Sequence, residues 1–436
     1  MNLLKQIQTL DFPAELPASL LQVRQAFDDA HLPDVPAAVS AAWAGSGLLA
    51  RIRPGQRVAV GVGSRGITNL AEIVQTTVTL LRAQGAEPFI TPAMGSHAGA
   101  TADGQRQMLA NLGITPQSVG APVQATMAVR EIGRLPDGPS LFQDELSAAA
   151  DHTLLINRVK PHTSFRSHIE SGLAKMAVVG LGKQRGAAAL HSQGTRFLRE
   201  ALAPAARIYQ ERTNLLGGLA LVENGRHQTA AVVALSAAQI GGPDEAALLE
   251  QAAALMPGLP FDQVDVLVVR QLGKNISGTG MDTNVIGRVK IPRVPESFGG
   301  PDVAVIAVLS LTQQTHGNAN GIGLANVTTA RVAAQIDWQA TYTNTISSGP
   351  LGMWRASLPL TLPNDRQALS VALRGCGVSP ADARWVFIED TLNLERLWVS
   401  PALLPLVKSH PRLTGEGEIP LKFDEFGAMR QPWPLD

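Results

Sequence analysis

The sequence predicts an α/β protein: two α/β domains with mostly parallel sheets and an active-site cleft between them. Three observations predict it. First, β-branched apolar runs alternate with amphipathic stretches, as in RVAVGVG (57–63), LAEIVQTTVTLLRAQG (70–85) and PFITPAM (88–94), which is the pattern of a parallel sheet covered by helices. Second, a chain of 436 residues exceeds what a single hydrophobic core usually serves. Third, the Pro/Gly-punctuated stretch MPGLPFDQ (256–263) precedes DVLVVRQLG (265–273), where the alternation starts again. The expected division is 1–260 for an N-terminal catalytic domain and 261–409 for a C-terminal domain closing the cleft. The tail 410–436 is free to pack back on the first domain.

Residues 1–56 read as an arm leading into a helix, AAVSAAWAGSGLLARI, with Pro33 and Pro36 ahead of it. The strand 57–63 exits into the turn SRGITN, and the following helix stops at Gly85. The strand 88–94 exits into GSHAGAT, where Thr101 is placed to cap the helix TADGQRQMLANLG. LLIN (154–157) and MAVVGLG (176–182) read as two short buried strands. QRGAAALHSQGTRFLREALAPAARIYQER is a helical run with His191 near its start. GGLALVEN and TAAVVALS form a hairpin around Gly225, and PDEAALLEQAAALM is a helix ended by Pro257 and Gly258. In the second domain, VAVIAVLSL (303–311) is another buried strand, followed by TQQTHGNANGIGLAN and a helical TTARVAAQI.

Composition removes several classes of function. Thirty-six basic and thirty-six acidic residues leave zero formal net charge, without the cationic excess that phosphate backbones demand. One cysteine, Cys376, permits neither an internal disulfide nor a multi-cysteine metal site. Neither a signal-peptide stretch nor a run of membrane-spanning length is present, so the expected setting is cytoplasmic, with no membrane partner.

The chemistry concentrates in Leu154–Gly194, which holds His162, His168 and His191, three of the chain's nine histidines, together with Lys175. Ligands of parallel sheets bind beyond the carboxyl ends of the strands, so Ser64, Arg65 and His97 belong to the same edge. Arg65, ahead of a helix N-terminus, suits a carboxylate or phosphate, or else caps its neighbours on a surface loop. His97 and His162, on separate loops, could act as paired proton acceptors and donors; either alone could be a solvated loop histidine. Lys175, beside an apolar run, is a candidate for a covalent link, or a lysine that snorkels. His191 supplies one imidazole, so a metal there would draw its other donors from a bound organic group. Lys274, in LGKNISGTGMD, could complete an anion site. His316 is a weaker candidate, as is His168.

These elements together resemble the lactate racemase superfamily, the nickel-pincer-nucleotide-dependent 2-hydroxyacid racemases and epimerases. The resemblance rests on the loop arginine Arg65, on Gly95-Ser96-His97, on the N-x-x-x-P-H segment Asn157–His162, on S-G-x-A-K at Ser171–Lys175, and on His191. It is looser beyond residue 260, where Lys274 and neighbouring glycines carry it. The resemblance implies an isomerase in which Lys175 tethers the nickel-pincer nucleotide and His191 ligates the nickel. It makes His97 and His162 the paired acid/bases and has Ser64, Arg65 and Lys274 contact cofactor or substrate anions. It further implies inversion at the α-carbon by proton-coupled hydride transfer, and dependence on enzymes that make the cofactor. The segment HTSFRSHIESGLAK and the absence of Asp-x-Thr-Arg around Arg65 depart from lactate-specific members. They suggest a larger 2-hydroxyacid, with Arg166 and His168 available to contact it. Two alternatives share the same residues: a pyridoxal-phosphate enzyme using Lys175, and a non-catalytic nickel- or nucleotide-binding protein.

Overall fold

The computed structural model describes residues 6–7, 11–12, 14–64, 66–296, 299–430 and 433. The chain divides into two compact units, 28–256 and 1–27 with 257–436. In order, the elements are β1 (Ser19–Gln25), α1 (Val35–Ser46), β2 (Arg57–Val62), α2 (Leu70–Ala83), β3 (Glu87–Pro92) and α3 (Ala102–Asn111). β4 (Val129–Arg134), β5 (Ser140–Asp144) and β6 (His152–Arg158) follow. Next come α4 (Gly172–Lys175), a π-helical turn Met176–Leu181, α5 (Lys183–His191) and α6 (Gly194–Arg212). β7 (Leu215–Glu223), β8 (Thr229–Ser236) and α7 (Pro243–Leu255) complete the first unit.

Its sheet has the order β3-β2-β6-β7-β8, parallel except for the β7–β8 hairpin. β-Branched and aliphatic residues make the inner strands because both faces are covered: Val58, Val60, Val62, Leu154 and Ile156 are fully buried. On one face α1 and α2 pack through Val39, Trp43, Ile73 and Val78, and the indole of Trp43 donates to Thr77 Oγ1 at 3.1 Å. Each such large apolar side chain contributes about 2–3 kcal/mol by leaving water.

The other unit holds β9 (Gln263–Leu272), β10 (Asp302–Leu311), β11 (Val327–Thr329), α8 (Ala330–Gln335) and α9 (Trp338–Ser347). β12 (Leu360–Leu362), α10 (Asp365–Cys376), β13 (Trp385–Ile388), β14 (Arg396–Val399) and β15 (Leu413–Pro420) follow. Its sheet runs β12-β11-β10-β9-β13-β14-β1-β15, parallel from β12 to β13 and antiparallel beyond. This differs from the expected division at both ends of the chain. The first twenty-seven residues and the tail belong with the C-terminal unit, because β1 pairs with β14 on one side and β15 on the other.

The second difference concerns MAVVGLG, which is helical rather than a strand. A short apolar run has no periodicity to separate a buried helix from a buried strand. The turn is pressed onto the end of β3, where a Cβ at Gly180 would lie 2.5 Å from the carbonyl oxygen of Ala93. No helix among the described residues is long and apolar enough to cross a membrane.

Candidate active site

β3, β2 and β6 are adjacent and parallel, so the loops that leave their carboxyl ends emerge along one edge, roughly 5 Å from strand to strand. They carry Ser64, His97 and His162 respectively from β2, β3 and β6. The hydroxyl of Ser64 hydrogen-bonds Nδ1 of His97, which commits one ring nitrogen. The His97 loop is unusual in its backbone. Gly95, Ala98, Gly99 and Ala100 all have φ between +54° and +69°, and a left-handed alanine costs of order 1–2 kcal/mol. Thr101 then accepts from the amide of Gly104 at 3.1 Å and caps α3 as expected.

Lys175 lies at the last position of α4, not on a strand. That turn is clamped from two sides. Asn157 donates from Nδ2 to Gly172 O at 2.8 Å. Glu245, at the start of α7 and 1% exposed, accepts from the amides of Leu173 (2.5 Å), Ala174 (3.2 Å) and Gly241 (2.8 Å). Burial pushes the Glu245 carboxyl upward in pKa, and those three amides oppose the shift. Gly172, at φ +82°, admits the carboxylate: a Cβ there would lie 2.3 Å from Glu245 Oε1.

From Lys175 the chain continues over the strand ends. A Cβ at Gly63 would meet Met176 Cε at 3.1 Å, and one at Gly95 would meet Val179 O at 3.2 Å. His191 ends α5, rather than lying near a helix start. Its burial, followed by the charge of Lys175, lowers its pKa to about 4. The imidazole is therefore neutral at physiological pH, with a lone pair available for a metal. Among the described residues no three His, Cys, Asp or Glu side chains converge as a metal site, so a metal at His191 would need donors from a bound group.

The His162 loop is built on Glu170, a carboxylate 4% exposed. It accepts from the amides of His162 (2.7 Å) and Ser167 (2.9 Å), with Arg166 Nη1 at 3.4 Å. The Ser164 amide donates to His162 Nδ1 at 3.1 Å, so the neutral ring carries its proton on Nε2. Phe165 stacks on that ring, centroids 4.3 Å apart.

The structure thus brings Ser64 to His97, and Lys175 into electrostatic range of His191, with the His162 loop on the same sheet edge. Lys274 belongs to the other unit, where Nζ donates to Gly278 O at 2.8 Å and Asn320 Oδ1 at 3.4 Å. Arg65 lies outside the described residues. Arg166, His168 and His316 are exposed.

Sequence reasoning missed Lys183, which is completely buried. Its Nζ donates to Pro92 O and to Gln105 Oε1, the latter at 3.2 Å. The available signal was faint: a lysine directly after the apolar run MAVVGLG, at the head of the polar KQRG. Burial lowers its pKa to about 8, against the opposing pull of Asp144. Between pH 8 and 10.5 the unfolded chain still binds the proton that the native lysine has released, so stability rises with pH across that window. Relative to Lys183→Met, the parent should gain roughly 3 kcal/mol across it. Urea midpoints of both proteins measure this, and a constant difference would contradict it.

No family model matches the sequence, and no curated protein does. Among solved structures, the chain is similar to the lactate racemase apoprotein from Thermoanaerobacterium thermosaccharolyticum. That match has 14% identity and a TM-score of 0.46, and covers 86% of this chain and 89% of that one. It is also similar to a protein from Thermotoga maritima, at 14% identity and a TM-score of 0.43, over 61% of this chain and 69% of that one.

Proposed function

We propose that the protein is a racemase or epimerase of a 2-hydroxyacid, working with a nickel-pincer nucleotide tethered to Lys175. The observation that carries this reading is the pairing of two half-buried side chains, the Lys175 amine and the His191 imidazole, on one helical segment that covers the ends of β2 and β3. The residues fit the group: one amine for attachment, and one imidazole for the metal. When bound, the cofactor supplies the metal and the hydride acceptor.

The chain's own residues do the rest. His97, with Nδ1 engaged by Ser64, is assigned to take or return the substrate hydroxyl proton at Nε2. His162, whose Nδ1 accepts from the Ser164 amide, is assigned to the opposite face through Nε2. Proton balance has one ring take the hydroxyl proton as neutral imidazole and the other return a proton as imidazolium, so each ring ends in the state from which the other began. Arg65 and Lys274 are assigned to substrate or cofactor anions. Arg166 and His168 extend the His162 loop toward a substrate larger than lactate.

The test is peptide mass spectrometry across Lys175 on protein made alongside the cofactor biosynthesis enzymes. The expected result is a nickel- and sulfur-containing nucleotide adduct on that lysine, with His191→Ala keeping the adduct and losing the metal. Active enzyme with an unmodified Lys175 would remove the tether, and a hydroxyacid panel turning over lactate alone would remove the larger substrate.

A further inference from the structure

We infer that Lys183 is a positioning residue for His97, acting through Gln105. The inference rests on the assignment of His97 to proton transfer. The starting point is the backbone. Four of the six residues from Gly95 to Ala100 lie in the left-handed region, two of them alanines. A loop held there relaxes unless its surroundings over-determine it. Hydrogen bonds to two neighbouring segments help to do so. Gly95 donates its amide to Gly180 O at 3.1 Å. Gln105, fully buried in α3, donates from Nε2 to Gly95 O at 2.8 Å and to His97 O at 3.4 Å.

A glutamine amide alone does not determine which way it points, because its oxygen and nitrogen can exchange places. Acceptors on one side, the carbonyls of Gly95 and His97, and a donor on the other, Lys183, fix it together. An ammonium has donors and no acceptor, so Gln105 must turn Oε1 toward Nζ and is left with Nε2 facing the carbonyls of Gly95 and His97. The lysine also donates to Pro92 O, the last residue of β3, so it ties the strand end and the loop to one charge. Lys183 itself has φ +52°, a conformation unfavourable to a side chain, which the buried contacts of its amine offset. The chain thus holds a strained backbone and a buried amine at a place where neither serves the core, with His97 as the shared beneficiary.

The test uses the full-length chain with Lys183→Met, Gln105→Leu and the double variant. Two readouts are independent of turnover: hydrogen exchange of the 96–100 amides, and the ring-nitrogen NMR shifts of His97, which report its tautomer. Each single variant should exchange about 10-fold faster in 96–100 while α2 is unchanged. The His97 ring-nitrogen shifts should move from the parent's values, because the Ser64 contact to Nδ1 loosens with the loop. The double variant should be no looser than either single, because the two residues act as one unit. Unchanged exchange and unchanged ring-nitrogen shifts in both single variants overturn the assignment, and so does an additive double variant. If Lys183→Met fails to fold, Gln105→Leu, close in size to the residue it replaces, decides alone. A loosened loop in a protein inactive on every hydroxyacid supports the positioning role and removes the proposed reaction instead.

Discussion

Lys175→Ala is expected to lower hydroxyacid turnover at least roughly a thousandfold, about 4 kcal/mol of barrier, while shifting stability by no more than about 0.5 kcal/mol. The two expectations separate because the lysine sits at the end of α4 and is only half-buried. Alanine suits a helix there, and the clamp on the turn comes from Asn157 and Glu245, which contact its backbone groups. The substitution also removes a positive charge that helps hold His191 near 4. In the cofactor-free variant the His191 ring should therefore titrate higher, by NMR, than in the parent. Turnover within tenfold of the parent's would show that Lys175 holds nothing the reaction needs.

Gly172→Ala should destabilise the first unit by about 3–5 kcal/mol. An alanine at φ +82° is strained by roughly 1 kcal/mol. Its Cβ would also fall 2.3 Å from Glu245 Oε1, so the carboxylate must leave the amides of Leu173 and Ala174. Each buried amide left unpaired costs about 1–3 kcal/mol. Glu245 is not the far end of an exposed chain that can swing aside: the Gly241 amide also holds it. Urea unfolding at constant slope measures the loss, and a change below about 1 kcal/mol would mean that the carboxylate relocates freely. Activity should fall with it, since the displaced turn is the one that carries Lys175.

Much of this site was visible in the sequence because strand exits are. RVAVGVG and LLIN are aliphatic runs ending in polar loops, and they became β2 and β6 with Ser64 and His162 beyond their ends. The helical turns from Gly172 to Gly182 were not legible, since MAVVGLG has no period and packs against Ala93 and Gly95. The supporting residues were hidden for a different reason. Glu245 is one acidic residue in the first turn of an ordinary helix, seventy-odd positions from the amides it caps. Gln105 and Lys183 sit in stretches that look solvent-facing until the fold brings them together. Pairings distant along the chain, such as β1 with β15, leave no local mark in either partner.

That last pairing bears on how the protein is made. β1 is formed from residues 19–25 but lies between β14 and β15, near residues 396–399 and 413–420. The unit 28–256 contains all of its own sheet and can fold as soon as it has emerged from the ribosome. β1 has to wait for nearly four hundred residues to be added before either neighbour exists, carrying an unsatisfied edge and the buried side chains Leu20 and Val23 meanwhile. During synthesis the first strand made is among the last to be paired. A chain released before residue 396 would carry a finished first unit and a first strand with neither of its neighbours, β14 and β15.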